Sequence, residues 1–323
     1  DTGTVNAPWL DFGFTGTGDL GEFTLNGGYD SPTKTHTFEE LDLDTYTVTE
    51  NNSPGNWDLT DLSCSSDDVE LDLENKTVSI TLDTSGEHIT CTFHNERRPQ
   101  IEIIKYEDLN ANGNRDEGES GLEGWQMFLY IEDGQGGWTQ IQPREVRTNA
   151  NGVANYTGLT PDKDYLVCEE AAEGWVNSAP GDDAILHEGK ICQRVHDPQL
   201  QYGEVRTVTF GNAQKGSITI IKNANGIKAL RRTFGFILND EDDETEEITF
   251  ALYHGASETV LDLAPGRYHI AEDPALMPEG WWLAYVDCEG ADVEVDQLNA
   301  SATVMLASNQ HLTCTFYNER VGF

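Results

Sequence analysis

Lysine, glutamate and asparagine recur together at positions where an apolar side chain would be expected. One set is Lys105, Glu169 and Asn212, and the other is Lys222, Glu272 and Asn318. Five of the six close an alternating run: Ile101, Ile103, Lys105; Ile218, Ile220, Lys222; Tyr165, Val167, Glu169; Tyr268, Ile270, Glu272; Cys314, Phe316, Asn318. Period-two alternation reads as β-strand with those side chains on one face. The charges would then face a core, where they are costly unless paired. A Lys–Glu ion pair with a hydrogen-bonding Asn is one reading. A chemical cross-link is the other. An apolar site lowers the lysine pKa and raises that of the glutamate, so a neutral amine can attack the Asn carboxamide. The protonated Glu would polarise the carbonyl and shuttle protons while ammonia leaves.

A second constellation lies at residues 108–119, DLNANGNRDEGE. It places oxygen donors at loop positions one, three, five, nine and twelve: Asp108, Asn110, Asn112, Asp116 and Glu119. Gly113 stands where such a loop turns sharply, and Asn114 would offer its backbone carbonyl. This is the spacing of an EF-hand calcium loop, with two of the usual aspartates replaced by Asn and so a modest affinity. The segment that follows, GLEGWQMFL, reads as a strand rather than a helix. The loop resembles that of the calcium-binding B repeats of staphylococcal-type surface adhesins, which implies bound Ca2+ in a structural role. An ordinary Asn/Gly turn is the plainer alternative.

The strands that must position these residues belong to a long-period repeat. Three stretches end alike, in CTFHNER (91–97), VTFGNAQ (208–214) and CTFYNER (314–320). Upstream of each lies a turn and a strand: Tyr46, Val48, Glu50 in the first copy, then the Tyr-x-Val/Ile-x-Glu runs already named. A tryptophan follows each strand, at Trp57, Trp175 and Trp281 with Trp282. No sustained helical period occurs. The chain divides into three all-β, immunoglobulin-like sandwiches at 1–98, 99–215 and 216–323, with short junctions that predict a stiff string.

The opening Lys, the Tyr-x-Val-x-Glu box and the closing Asn resemble the prealbumin-like (SpaA or Cna B-type) domains of bacterial pilins and surface adhesins. The likeness covers copies one and three end to end and the strand framework of copy two. It implies an autocatalytic isopeptide bond joining Lys105 to Asn212 and Lys222 to Asn318, assisted by Glu169 and Glu272. A disulfide beside the bond departs from the family pattern.

Copy one is incomplete. It has Glu50 and Asn95, but neither an ITIIK strand nor the lysine. A sandwich without that strand exposes unpaired backbone and an apolar groove. The strand could have been cut away, lost in processing, or be supplied by another subunit. Donation would join subunits into a filament, and a donated lysine could lock the joint covalently. The C-terminal VGF is too short to be the donor. Beginning at DTGTVNAPW, the chain reads as mature or trimmed; no signal peptide and no LPxTG anchor signal are evident.

Six cysteines fall two per copy, predicting the pairs Cys64–Cys91, Cys168–Cys192 and Cys288–Cys314 and an extracellular or cell-surface setting. The absence of C-x-x-C and of clustered histidines argues against zinc. Glycosylation triplets begin at Asn51, Asn75, Asn155 and Asn299. Fifty-eight acidic residues against nineteen basic ones give a net charge of −39, which excludes nucleic acid as a natural partner and disfavours anionic membranes. No apolar run spans a bilayer. Enzyme motifs are missing: there is no G-x-S-x-G, H-E-x-x-H or Walker loop, and His94 and His254 read as surface residues. Tandem repeats without a divergent domain point to a structural subunit of a surface fibre, pilus or stalk that self-associates. An adhesin or carbohydrate-binding module with a host or surface ligand is the alternative. The tryptophans could form a sugar platform, but their repeated position favours packing.

Overall fold

The structure is a computed structural model, and it describes residues 10–27, 33–143, 145–196, 198–225, 232–241 and 247–320. The terminal segments 1–9 and 321–323, including VGF, lie outside the described residues. Strands dominate. The helical pieces among the described residues are single 3-10 turns at Gly18–Leu20 and Gly181–Asp183.

The first copy contributes β1 (Leu10–Gly16), β2 (Glu22–Gly27), β3 (Thr45–Asn52), β4 (Trp57–Cys64), β5 (Val69–Asp72), β6 (Thr77–Thr81) and β7 (Cys91–Arg97). The middle copy contributes β8 (Gln100–Glu107), β9 (Gln126–Glu132), β10 (Trp138–Gln140), β11 (Val146–Arg147), β12 (Val153–Tyr156), β13 (Tyr165–Glu170), β14 (Trp175–Ala179), β15 (Ile185–His187), β16 (Lys190–Val195) and β17 (Val205–Gln214). The third has β18 (Gly216–Ala224), β19 (Thr233–Asp240), β20 (Glu247–Tyr253), β21 (Ser257–Leu263), β22 (Gly266–Glu272), β23 (Trp281–Glu289), β24 (Val293–Asp296), β25 (Ser301–Leu306) and β26 (His311–Arg320).

These strands make paired sheets in chain order, as the alternation predicted. The third copy pairs β20-β19-β22-β25-β24 with β21-β18-β26-β23, and the middle copy pairs β10-β9-β13-β16-β15 with β12-β8-β17-β14. The first copy repeats the five-stranded order as β2-β1-β3-β6-β5, but its other sheet is β4-β7 alone. Two strands are therefore missing from it among the described residues, where the sequence predicted one. The second absence follows from the first. In the third copy β21 pairs with β18. Residues 33–44, which precede the Tyr46 strand as β21 precedes Tyr268, have no opening strand beside them among the described residues and run as irregular chain. Phe38 and Leu41 of this segment still pack on the core.

Alternation places the core as expected. In β22, Tyr268, Ile270 and Glu272 are buried while Arg267, His269 and Ala271 are less so. The box tyrosines also have a use that sequence did not reveal: Tyr46 and Tyr268 each donate a phenolic hydrogen bond to the carbonyl four residues back, Asp42 and Ala264, at 3.0 and 2.8 Å. The middle copy departs from simple alternation, because β13 is buried on both faces. An outer cluster of Phe128, Tyr130, Leu166, Cys168 and Cys192 covers its second face.

All three predicted disulfides are present. Two are equivalent, lying across β4/β7 and β23/β26 at directly opposed residues. The middle one joins β13 to β16 in the other sheet, so the shared cysteine count conceals two different staples.

By packing, the chain forms two compact units: residues 1–102 with 155–164 and 195–206, and residues 103–154 with 165–194 and 207–323. In the first unit Arg98 clasps Asp58 with two hydrogen bonds of 2.8 Å, and Tyr202 donates to the same carboxylate at 3.2 Å. In the second, the Gln214 amide donates to Ser308 Oγ at 2.8 Å and its carbonyl accepts from Asn309 at 3.0 Å.

A two-stranded sheet needs its staple more than a four-stranded one. Replacing Cys64 and Cys91 by Ala removes closure of a 27-residue separation and should cost about 3 kcal/mol. Denaturant titration is expected to show the first sandwich unfolding before the third in that variant.

Candidate functional site

In both complete copies the sandwich brings Lys, Glu and Asn together at its centre. Lys and Asn sit on neighbouring strands of one sheet, β8 and β17 in the middle copy and β18 and β26 in the third. The Glu reaches across from the opposite sheet, on β13 or β22. In the third copy β18 runs parallel to β26, with Lys222 beside Phe316 and Ala224 beside Asn318. That register carries the lysine head toward the carboxamide.

The side chains are sealed from water: Lys105, Glu169 and Lys222 are fully buried, and Asn212, Glu272 and Asn318 are at most 2% exposed. Lys105 Nζ lies 3.0 Å from Glu169 Oε2 and donates to Asn212 Oδ1 at 2.5 Å and to the Phe210 carbonyl at 3.3 Å. Lys222 Nζ lies 3.4 Å from Glu272 Oε1 and donates to Asn318 Oδ1 at 2.6 Å and to the Phe316 carbonyl at 3.0 Å. Asn318 Nδ2 in turn donates to Glu272 Oε2 at 2.8 Å. Burial pulls each lysine down to about 8, against the pull of its glutamate. Burial likewise pushes both glutamates up, against their lysines. The pair is thus biased toward its neutral form, a free amine beside a protonated carboxyl.

Aromatic rings complete the site, and the sequence reading had not named them. Lys105 Nζ sits 4.5 Å from the Trp125 ring centre and Lys222 Nζ 4.4 Å from Phe234. Each ring meets the repeated tryptophan edge-on, Trp125 with Trp175 at 5.4 Å and Phe234 with Trp281 at 5.7 Å. In the first copy Phe12 meets Trp57 in the same way, at 6.0 Å. The recurring tryptophan is therefore a packing element, which explains its repeated place. The alternation of Phe234 and Phe236 held the signal for the ring over Lys222. Asn177, beside Glu169, had none.

The first copy assembles every part but the lysine. Glu50 is 2% exposed, accepts from Asn95 Nδ2 at 2.8 Å and from Ser53 Oγ at 2.6 Å, and Lys76 Nζ reaches only Ser53, at 3.2 Å. Asn95 Oδ1, equivalent to the atoms that receive Lys105 and Lys222, is buried without a hydrogen-bond partner among the described residues.

Residues 108–119 form a closed loop. Asp108, fully buried, accepts from the backbone amides of Asn112 and Gly113 at 3.2 and 2.8 Å. Glu119 accepts from those of Leu109 and Asp116, both at 2.9 Å. Gly113 turns with φ +78°, and a Cβ there would come within 3.0 Å of the Ser178 carbonyl. Asn110 and Asn112 direct their amide NH2 groups to Asp116, whose carboxyl they hold below the usual range. Asn114 caps the turn from its backbone amide to Asn112 Oδ1 at 2.7 Å. Among the described residues no three Asp, Glu, His or Cys side chains form a metal-holding group. The loop's donor set is mixed, carboxylates with amides, and suits a hard cation once the two amide groups turn their oxygens inward.

The glycosylation triplets fall on exposed residues. Asn75 and Asn299 occupy equivalent hairpin turns, and each amide donates to an aspartate, Asp72 or Asp296, at 2.7 Å. The residue after each has φ +53°. That turn requires an asparagine irrespective of any sugar. The Asn51 amide donates to Thr15, and Asn155 lies exposed on β12.

Removing one partner of a buried pair strands the other. Glu272→Ala should destabilise the third sandwich by about 3–5 kcal/mol, and adding Lys222→Met should recover the part of that loss due to the stranded charge. Denaturation followed by the fluorescence of Trp281 and Trp282 measures both.

No curated protein matches the chain at a significant level. Among solved structures, the chain is similar to the minor pilin GBS52 of Streptococcus agalactiae, at 14% identity and a TM-score of 0.30, over 69% of this chain and 97% of that one. It is similar to a Mobiluncus mulieris adhesin containing intramolecular disulfide, isopeptide and ester cross-links, at 13% identity and 0.34, over 69% and 99%. It is also similar to the shaft pilin SpaA of Lactobacillus rhamnosus GG, at 12% identity and 0.26, over 70% and 98%. Among the described residues no helix is long and apolar enough to cross a membrane. The family described as the prealbumin-like fold domain matches residues 2–97 and again 218–320, so the greater part of the sequence falls under it. The chain belongs to the prealbumin-like fold domain family.

Proposed function

We propose that the chain is a structural subunit of an extracellular or cell-surface filament, pilus or stalk, made of three sandwiches near 1–98, 99–215 and 216–323. The observation that carries this reading is the buried Lys–Glu–Asn set, complete in two copies and lacking only its lysine in the first. Such a site offers no cleft for a substrate. Its product is a bond within the protein.

The chemistry follows from the geometry. A neutral Lys Nζ attacks the Asn Cγ while the protonated Glu hydrogen-bonds the carboxamide. The Nζ–Cγ bond forms, the Cγ–Nδ2 bond breaks, and the glutamate passes the amine proton to the departing nitrogen, releasing one ammonia per site. In this reacting state the proton of the Lys–Glu pair sits on the glutamate. The amine is freed as pH rises through about 8, where the lysine loses its proton, while burial keeps the carboxyl protonated to higher pH than an exposed one. Below about 8 the amine becomes charged and cannot attack. Ammonia release should therefore slow as pH falls below about 8.

The first copy fits the part of an acceptor. Among the described residues its β7 has no parallel neighbour such as β26 has, and Asn95 Oδ1 has no hydrogen-bond donor. A lysine-bearing strand from another subunit would pair along β7 and place its amine on Asn95, giving self-association into a polymer. The loop at 108–119 would hold Ca2+ through Asp108, Asn110, Asn112, the Asn114 carbonyl, Asp116 and Glu119, as a brace for the middle sandwich. Calorimetry with Ca2+ should show binding in the intact chain and none in Asp108→Ala.

Intact mass and peptide mapping test the cross-links. The expected result is the loss of one ammonia at Lys105–Asn212 and one at Lys222–Asn318, and an unmodified mass overturns it. A synthetic peptide with the sequence of residues 216–224 tests the acceptor. It should form an adduct with the first sandwich that is short by one ammonia and is abolished in Asn95→Ala. Failure to bind or react sinks strand donation.

A further inference from the structure

The two complete sites differ at one register position. Across from Asn318 on β26 stands Leu283 of β23, and across from Asn95 on β7 stands Leu59 of β4. In the middle copy the residue opposite Asn212 is Asn177 of β14. A bulge follows each of these residues, so the three positions are equivalent.

Asn177 turns its carboxamide into the site. Its Nδ2 donates to Glu169 Oε1 at 2.9 Å and to the Ala179 carbonyl at 2.6 Å, while its Oδ1 accepts from the Gly181 amide at 3.3 Å. The backbone partners on both ends fix which end of the amide faces the glutamate. Glu272 takes a hydrogen bond from Asn318, the residue to be attacked, as Glu169 does from Asn212, but in the third copy Leu283 can donate nothing, so Asn177 is the additional donor of the middle site. The ion pairs differ in the same sense, 3.0 Å for Lys105–Glu169 and 3.4 Å for Lys222–Glu272.

A donor aimed at a carboxylate favours its charged form. A charged glutamate keeps its lysine charged, and the charged amine cannot attack. We propose that Asn177 is a positioning residue that draws Glu169 toward the carboxylate, so that the middle site holds the ion-paired form more than the third does and closes its Lys105–Asn212 bond more slowly than the third site closes Lys222–Asn318. This inference rests on the cross-linking chemistry proposed above. The bonds made and broken are the same at both sites. Asn177 also reaches Asn212 Oδ1, at 3.4 Å, but its shorter bond is to Glu169, at 2.9 Å, and it acts through the fraction of pairs whose single proton sits on the glutamate. One hydrogen bond to a charged carboxyl shifts that fraction about tenfold, and the rate follows.

The test uses the full chain, made by cell-free synthesis under oxidising conditions, stopped at intervals and mapped by peptide mass. The third site should lose its ammonia first, with the middle site about tenfold behind. Asn177→Leu, which installs the third copy's residue, should close that gap, and the reciprocal Leu283→Asn should slow the third site. A second readout separates this role from packing. In an Asn212→Ala background, where the middle site cannot close, the 13C shift of the Glu169 carboxyl reports its titration. Adding Asn177→Leu should raise that midpoint by about one pH unit. Equal closure rates at the two sites, or an unmoved midpoint, overturn the role of Asn177 while leaving the cross-link intact. Absence of ammonia loss at both sites overturns the cross-link reading and this inference with it.

Discussion

The burial of a lysine and a glutamate between two sheets is the constraint on which the rest of this structure depends. Neither charge would be tolerated there alone. The pairing forces the lysine strand, the glutamate strand and the asparagine strand into one register, since a slip of one residue would turn each side chain to the other face. The aromatic rings over the lysine heads, Trp125 and Phe234, and the tryptophans packed against them then keep water away. Each sandwich is in this sense assembled around its polar centre as much as around its apolar core.

The three copies show what the centre contributes. With the opening strand and its lysine present, the second sheet has four strands in both the middle and third copies. In the first copy, among the described residues, that sheet is β4 and β7 alone, residues 33–44 run as irregular chain, and a buried carboxamide oxygen has no partner. Where the opening strand is not seen, the strand that pairs with it elsewhere is not seen either.

Much of this was legible in the sequence because period-two alternation reports burial directly. Lys105, Lys222, Glu169, Glu272, Asn212 and Asn318 stood out as polar residues in apolar phase, and the cysteine pairs followed from their even division among the copies. What was hidden depended on contacts across the sandwich. Asn177 lies in a segment with no alternation to mark it, and its meaning appears only when the bulged strand sets it opposite Asn212. The second face of β13 was hidden for a like reason, since a strand buried on both sides has no polar phase to read. The different placement of the middle disulfide could not be read from a spacing of 24 beside spacings of 26 and 27. The irregular course of residues 33–44 turns on strand pairing, which no local pattern reports.

The parallel pairing of β18 with β26 has a mechanical side. These are the first and last strands of their sandwich, lying side by side and running the same way. Pull the chain by its two ends and the strands are drawn past each other lengthwise, so that the whole row of hydrogen bonds between them is loaded at once instead of opening one rung at a time. The Lys222–Asn318 contact sits within that row, 96 residues apart along the chain yet 2.6 Å apart in space. Force entering at one end of the sandwich has a path to the other that never passes through the folded material between.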